Sequence, residues 1–98
     1  MAQRGPGAAG GRAYAEGEKL CHGLFDPFWR GKPKAQKKRQ DLYFWLSKQL
    51  DIPFEDCHFG HFNLERLRAA YRILLGIQGR EMRYDNRGMI YFSVEEVS

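Results

Sequence analysis

A chain of 98 residues has the length of one small domain. Its 16 Lys and Arg against 12 Asp and Glu leave a formal charge of +4, and 43% of its residues are apolar; that composition excludes a wholly disordered, collagen-like or low-complexity chain. No apolar run approaches the roughly 18 residues of a membrane span, no basic-then-apolar leader opens the chain, and two cysteines are too few for a disulfide framework, so a cytoplasmic protein with no membrane contact is expected.

Residues 1–14 hold Gly5, Gly7, Gly10, Gly11 and Pro6 with hardly any bulky apolar side chain. Ordering them costs entropy that no burial returns, so a flexible, slightly basic tail is expected ahead of a single domain over 15–98. The first helix is expected from Ala15 to Phe25. Leu20, Leu24 and Phe28 recur at four-residue steps, and Pro27 ends the helix near Asp26. Arg30 to Arg39 then carries six cations and no acid, with Gly31 and Pro33 holding its first part out of a helix. A second helix over Ala35–Leu50 presents Leu42, Trp45, Leu46 and Leu50 on one stripe. Pro53 opens a connection, and Asn63 is a suitable N-cap for a third helix over Leu64–Leu75. Its expected inner face is Leu64, Leu67, Tyr71, Leu74 and Leu75, with Gly76 and Gly79 as terminators.

The period then changes. Met82 and Tyr84, then Met89 to Val94, flank Asp85-Asn86-Arg87-Gly88, which suits a type I turn closed by a glycine bulge. The expected fold is mainly α: about three helices in a compact bundle with a C-terminal β-hairpin over 82–94. The second strand reads apolar on both faces, Ile90, Phe92 and Val94 against Met89 and Tyr91. Such a strand is expected to be covered on two sides, which speaks for a homodimer.

Five potential metal ligands, Cys21, His22, Cys57, His58 and His61, fall into two short stretches. Zinc needs four donors in a tetrahedron; Cys57 and His61 have a tolerable spacing, and Cys21 or His22 could approach from the first helix, with Cys21, Cys57 and His61 the candidate set. Adjacent Cys-His pairs diverge, however, and partly buried histidines bonded to carbonyls or to Asp26 are the commoner meaning, so no cofactor is expected. Cys-His chemistry, or His22 with Asp26 as an acid–base pair four residues apart, is the enzymatic alternative. No nucleophile elbow or phosphate-cradling loop accompanies it, and a non-enzyme is expected. The candidate binding residues are Arg30, Lys32, Lys34, Lys37, Lys38 and Arg39, a cation run able to engage phosphates. The plainer meaning of such a run is a solvated loop that keeps a small protein soluble. Most aromatics at helical spacing belong to a core. Trp29 and Tyr43 stand apart as candidate surface or pocket residues because their N–H and O–H groups want polar partners.

Four segments come in a recognisable order: Cys21-His22-Gly23-Leu24-Phe25-Asp26-Pro27-Phe28-Trp29, a basic stretch, Asp41-Leu42-Tyr43-Phe44-Trp45-Leu46, and Cys57-His58-Phe59-Gly60-His61-Phe62-Asn63. Together, over about Glu18 to Ile77, they resemble the C-terminal half of a zinc-finger-containing protein family of unknown function from bacteriophages and other mobile elements. The chain has no C-x-x-C pair to match that family's zinc-binding cysteines. The resemblance implies a polar site of His22, Asp26, Trp29, Tyr43 and His58, in a bacterial or phage-infected cell. The expected function is a small non-catalytic binding module that contacts nucleic acid or a phosphorylated nucleotide through the basic segment. The alternative is a homodimeric protein-interaction factor that binds a bacterial host protein and inhibits an anti-phage defence system, using the hairpin edge.

Overall fold

A computed structural model describes residues 11–94 of the chain. Three helices, α1 (Gly11–Phe25), α2 (Ala35–Leu50) and α3 (Leu64–Ile77), precede a hairpin of β1 (Met82–Tyr84) and β2 (Ile90–Phe92). Residues 11–14, expected in the tail, are the first turn of α1; the rest of that segment lies outside the described residues.

The buried face of α1 is one residue out of phase with the leucine spacing. Cys21 and Phe25 are fully buried, whereas Leu20 is 52% exposed. The cause is the crossing with α3. A Cβ on Gly17 would stand 3.1 Å from Leu67 Cδ1, so the glycine lets the two helices close along a line through Gly17, Cys21 and Phe25. Pro27 ends α1, and Asp26–Phe28 continue as one tighter helical turn.

Both bounds of α2 agree with the sequence reading. The helix ends on Asp51 in the left-handed region, φ 57°, while the Ile52 N–H reaches back to the Ser47 carbonyl at 3.0 Å, a closure that satisfies the last carbonyls. Ser47 is buried but bonded, its hydroxyl donating to the Phe44 carbonyl at 2.6 Å. The connection to α3 contributes more than a link, because its two short helical turns drive Cys57, Phe59 and Phe62 into the core.

Asn63 caps α3 as expected, its side-chain oxygen accepting from the Arg66 N–H at 2.8 Å. Leu67, Ala70, Leu74 and Ile77 are the buried positions; Leu75, expected inside, is exposed. Gly76 lies within the helix, and the chain turns at Gly79 with φ +81°.

In the hairpin, Met82 pairs with Phe92, Arg83 with Tyr91 and Tyr84 with Ile90. Its turn is the expected one: the Gly88 N–H donates to the Asp85 carbonyl at 3.1 Å, Asp85 N–H to Met89 at 2.8 Å, and Gly88 has φ +82°. The hairpin leans on the helices through Phe92, whose ring meets Trp45 at 4.8 Å and Phe28 at 5.3 Å, and through Tyr84, whose hydroxyl donates to Asp41 at 2.8 Å. The second strand is shorter than expected, and it is covered within the chain on one face only. Tyr91 and Met89 are nearly half exposed and Val94 is 81% exposed.

Candidate functional site

The turn after α1 brings several of the sequence-chosen residues together around one carboxylate. Asp26 receives the Trp29 indole N–H at 3.1 Å and the Arg30 guanidinium at 2.9 Å, and His22 Nδ1 lies 3.4 Å away. Arg39, one turn into α2, sets its guanidinium 5.7 Å from the Trp29 ring centre and 5.1 Å from that of Tyr43, both within cation–π reach. Tyr43 is not a surface residue: it is 3% exposed and packs on Phe25 at 4.3 Å. Burial pushes its phenol pKa up, with the Arg39 guanidinium opposing the rise.

His22 and His58 reach the same aromatic group from different sides. His22 meets Phe59 edge-on at 4.8 Å, and His58 packs against Tyr43 at 5.6 Å and His61 at 5.2 Å. His22 is half-buried, whereas His58 is exposed. No direct contact of the His22 and His58 rings is found among the described residues. Asp26 thus acts as an organiser that ties the end of α1 to Trp29 and Arg30; the part-buried indole bond is the stronger of the two, and the pair with the exposed Arg30 is worth at most about 1 kcal/mol.

The basic segment divides into committed and uncommitted charges. Arg30 is held by Asp26, Lys37 by Asp41 at 2.7 Å, Lys38 donates to the Pro33 carbonyl, and Arg39 lies on the two rings. Lys32 and Lys34 are exposed and make no ion pair among the described residues. Lys34 precedes α2 in the left-handed region, φ 55°, with no side-chain cap. The fold then adds residues that the sequence reading did not connect to the segment. A cleft of about 510 Å³ runs between the end of α1, the basic loop and the turn into the hairpin, lined by Leu24, Phe28, Lys32, Lys38, Arg80 and Met82 among others. A second hollow of about 400 Å³ lies between Lys34, Lys37, Lys38, Tyr84 and Gly88. Arg80, which no motif marked, makes no ion pair among the described residues and joins Lys32 and Lys38 in the first cleft. Its only sequence signal is its place just after the Gly79 turn.

The opposite face of the Pro27 turn carries a shallow hollow lined by His22, Gly23, Asp26, Pro27 and Arg30. Gly23 and Pro27 line this hollow and the larger cleft alike.

Residues 3–76 match the zinc-finger-containing domain family DUF3268, and the chain belongs to that family. No curated protein and no solved structure was found to match it. The family's description implies zinc, and the described residues do not supply a site for it. Cys21 and Cys57 are fully buried, and burial pushes each thiol up to about 11. Cys21 Sγ is already placed against the Leu67 carbonyl at 3.5 Å, while His61 is exposed. No group of three or more His, Cys, Asp or Glu converges as metal ligands among the described residues.

Proposed function

We propose that this chain is a small non-catalytic binding module that holds phosphates of nucleic acid on the face shared by the basic segment and the hairpin. The observation that carries this reading is the convergence of Lys32, Lys38 and Arg80 on one cleft, with Lys34 and Lys37 lining the hollow beside it. The one acid that lines the cleft with them, Glu81, is paired with Arg83, so these cations repel one another in the free protein. An anion relieves that repulsion, and phosphate binding gains further from counterion release. Lys37 is paired with Asp41, so Lys32, Lys34 and Arg80 are the charges with most to gain. Membership of a zinc-finger-containing family supports a binding module.

Fluorescence anisotropy with labelled single-stranded and duplex oligonucleotides at two salt concentrations tests the reading. Lys32→Glu with Lys34→Glu is expected to abolish a salt-sensitive complex while thermal unfolding stays unchanged, because both side chains are exposed. Binding that survives the double reversal contradicts it.

A second reading is favoured by the face of the hairpin where Met89 and Tyr91 are nearly half exposed beside free strand edges. That face suits a second copy of the chain or a host protein. Tyr91→Lys is expected to lower the molecular mass seen by sedimentation if a dimer forms there.

A further inference from the structure

We infer that the cleft between the end of α1 and the turn into the hairpin takes a single nucleoside monophosphate unit, as a free nucleotide or as an unpaired nucleotide of a single strand. This rests on the phosphate-binding reading of the same face and says what part of the ligand enters it.

The cleft differs from a plain phosphate-binding surface in its walls. Lys32, Lys38 and Arg80 bring positive charge, but Leu24, Phe28 and Met82, all half-buried, bring apolar surface to the same hollow. A phosphate has no use for apolar wall, and the phosphates of a duplex run along its outside, where a concave pocket cannot follow them. A nucleotide presents both chemistries at once: a flat base that gains by leaving water against aliphatic and aromatic surface, and an anionic phosphate joined to it. The volume, about 510 Å³, lies within the roughly 300–1,000 Å³ of small-ligand sites.

The walls are also held in place before any ligand arrives. Phe28 is pinned by the Phe92 ring at 5.3 Å. Arg80 follows Gly79, whose φ of +81° sets the turn, and its N–H is bonded to the Ile77 carbonyl at 3.0 Å. Lys38 is tethered to the Pro33 carbonyl through one of its three donors, which leaves two for an anion. The one acid in the lining, Glu81, has its charge answered by Arg83 at 2.7 Å. Its carboxylate can still accept from a base amino group or a ribose hydroxyl, and Gln78 beside it can do the same.

The two internal methionines make the test direct, since Met82 lines this cleft and Met89 lies outside it, in a hollow beside Phe44 and Trp45. Methyl spectra of the full chain would be followed while adenosine and cytidine monophosphates, inorganic phosphate, a short oligothymidylate and a duplex are each titrated in. The expected result is saturable movement of the Met82 methyl, and not of Met89, with the nucleotides or the single strand. Inorganic phosphate and duplex should leave Met82 unmoved. Lys32→Glu with Arg80→Glu should weaken nucleotide binding about tenfold or more, as loss of a charged hydrogen bond does. If the single strand binds in a salt-sensitive way while Met82 stays unmoved and nucleotides do not compete, the inference fails and the phosphate-binding face stands. If nucleotides move Met82 but no strand binds, the inference holds with a free nucleotide as ligand, and nucleic-acid binding fails. Equal response to inorganic phosphate or to duplex overturns the inference, and no response to any probe overturns both.

Discussion

The two hollows that flank the Asp26–Phe28 turn share Gly23 and Pro27 but use their charges differently. On the His22 side the polar groups bond to each other: Asp26 takes Trp29, Arg30 and His22, and Arg39 lies across Trp29 and Tyr43. On the Arg80 side, Lys32 and Arg80 make no ion pair among the described residues, and apolar walls stand beside them. The difference separates cations that hold the fold together from cations left available to a ligand. A run of six basic residues does not by itself say which are which.

The comparison breaks most completely if the scaffold under both hollows is removed. Phe25 is fully buried and packs on Tyr43 at 4.3 Å and Phe59 at 5.2 Å. Phe25→Ala is expected to cost about 3–5 kcal/mol in denaturant unfolding. Asp26→Ala acts on the His22 side alone. By stripping the Trp29 indole and the Arg30 guanidinium of their acceptor, it should cost about 1–3 kcal/mol, with a shift in tryptophan emission. The Lys32 and Arg80 side should keep its ligand affinity in any of that variant that remains folded.

Two buried thiols and one half-buried phenol give the same scaffold an alkaline limit. Burial raises the Cys21 and Cys57 thiols from 9.0 to about 11. Burial and the bond to Asp41 raise Tyr84 from 10.0 to about 12. Below pH 9 all three hold their protons in the folded and unfolded chain alike, so their favourable contribution is complete. Above that, the unfolded chain releases protons first and stability falls as pH rises towards 11 and 12. Urea midpoints should hold from pH 8 to about pH 9 and decline from there to pH 11, and both thiols should resist a disulfide reagent in the native protein at pH 8. A flat profile would contradict the burial of these groups. The smallest expected change is a gain. Gly76 lies inside α3 with open space where a Cβ would stand, so Gly76→Ala should raise stability by about 0.5–1 kcal/mol in thermal unfolding and leave both hollows untouched.

Sequence carried the local decisions well. Ala35–Leu50, the Asn63 cap and the glycine-closed turn at Gly88 depend on neighbours within a few residues, and all three are present in the structure. The inner face of α1 was not legible: the four-residue steps of Leu20, Leu24 and Phe28 mark a helix, while its crossing is set by the small residue Gly17 against Leu67. Leu75 was misassigned for a related reason: Ala70, Leu74 and Ile77 continue the buried line from Leu67, and Leu75 lies one position off it. The hollow around Asp26 was partly legible, since His22, Asp26, Trp29 and Arg30 lie within one stretch of helix and turn. The cleft was not legible. It joins residues near 24–38 with residues near 78–82, and only the return of the hairpin onto α2 through Phe92 and Tyr84 brings them together.

The division between committed and available cations is tested most directly by the salt dependence of single-strand binding. In a plot of log affinity against log salt, each phosphate contact contributes a slope of about −0.7 for a single strand. Lys32→Ala with Arg80→Ala should make the slope shallower by about 1.4, two such contributions, whereas Lys37→Ala, which removes the partner of Asp41, should leave it nearly unchanged. Equal slopes for the first variant and the unmodified chain, or a larger loss from Lys37→Ala, would contradict the account.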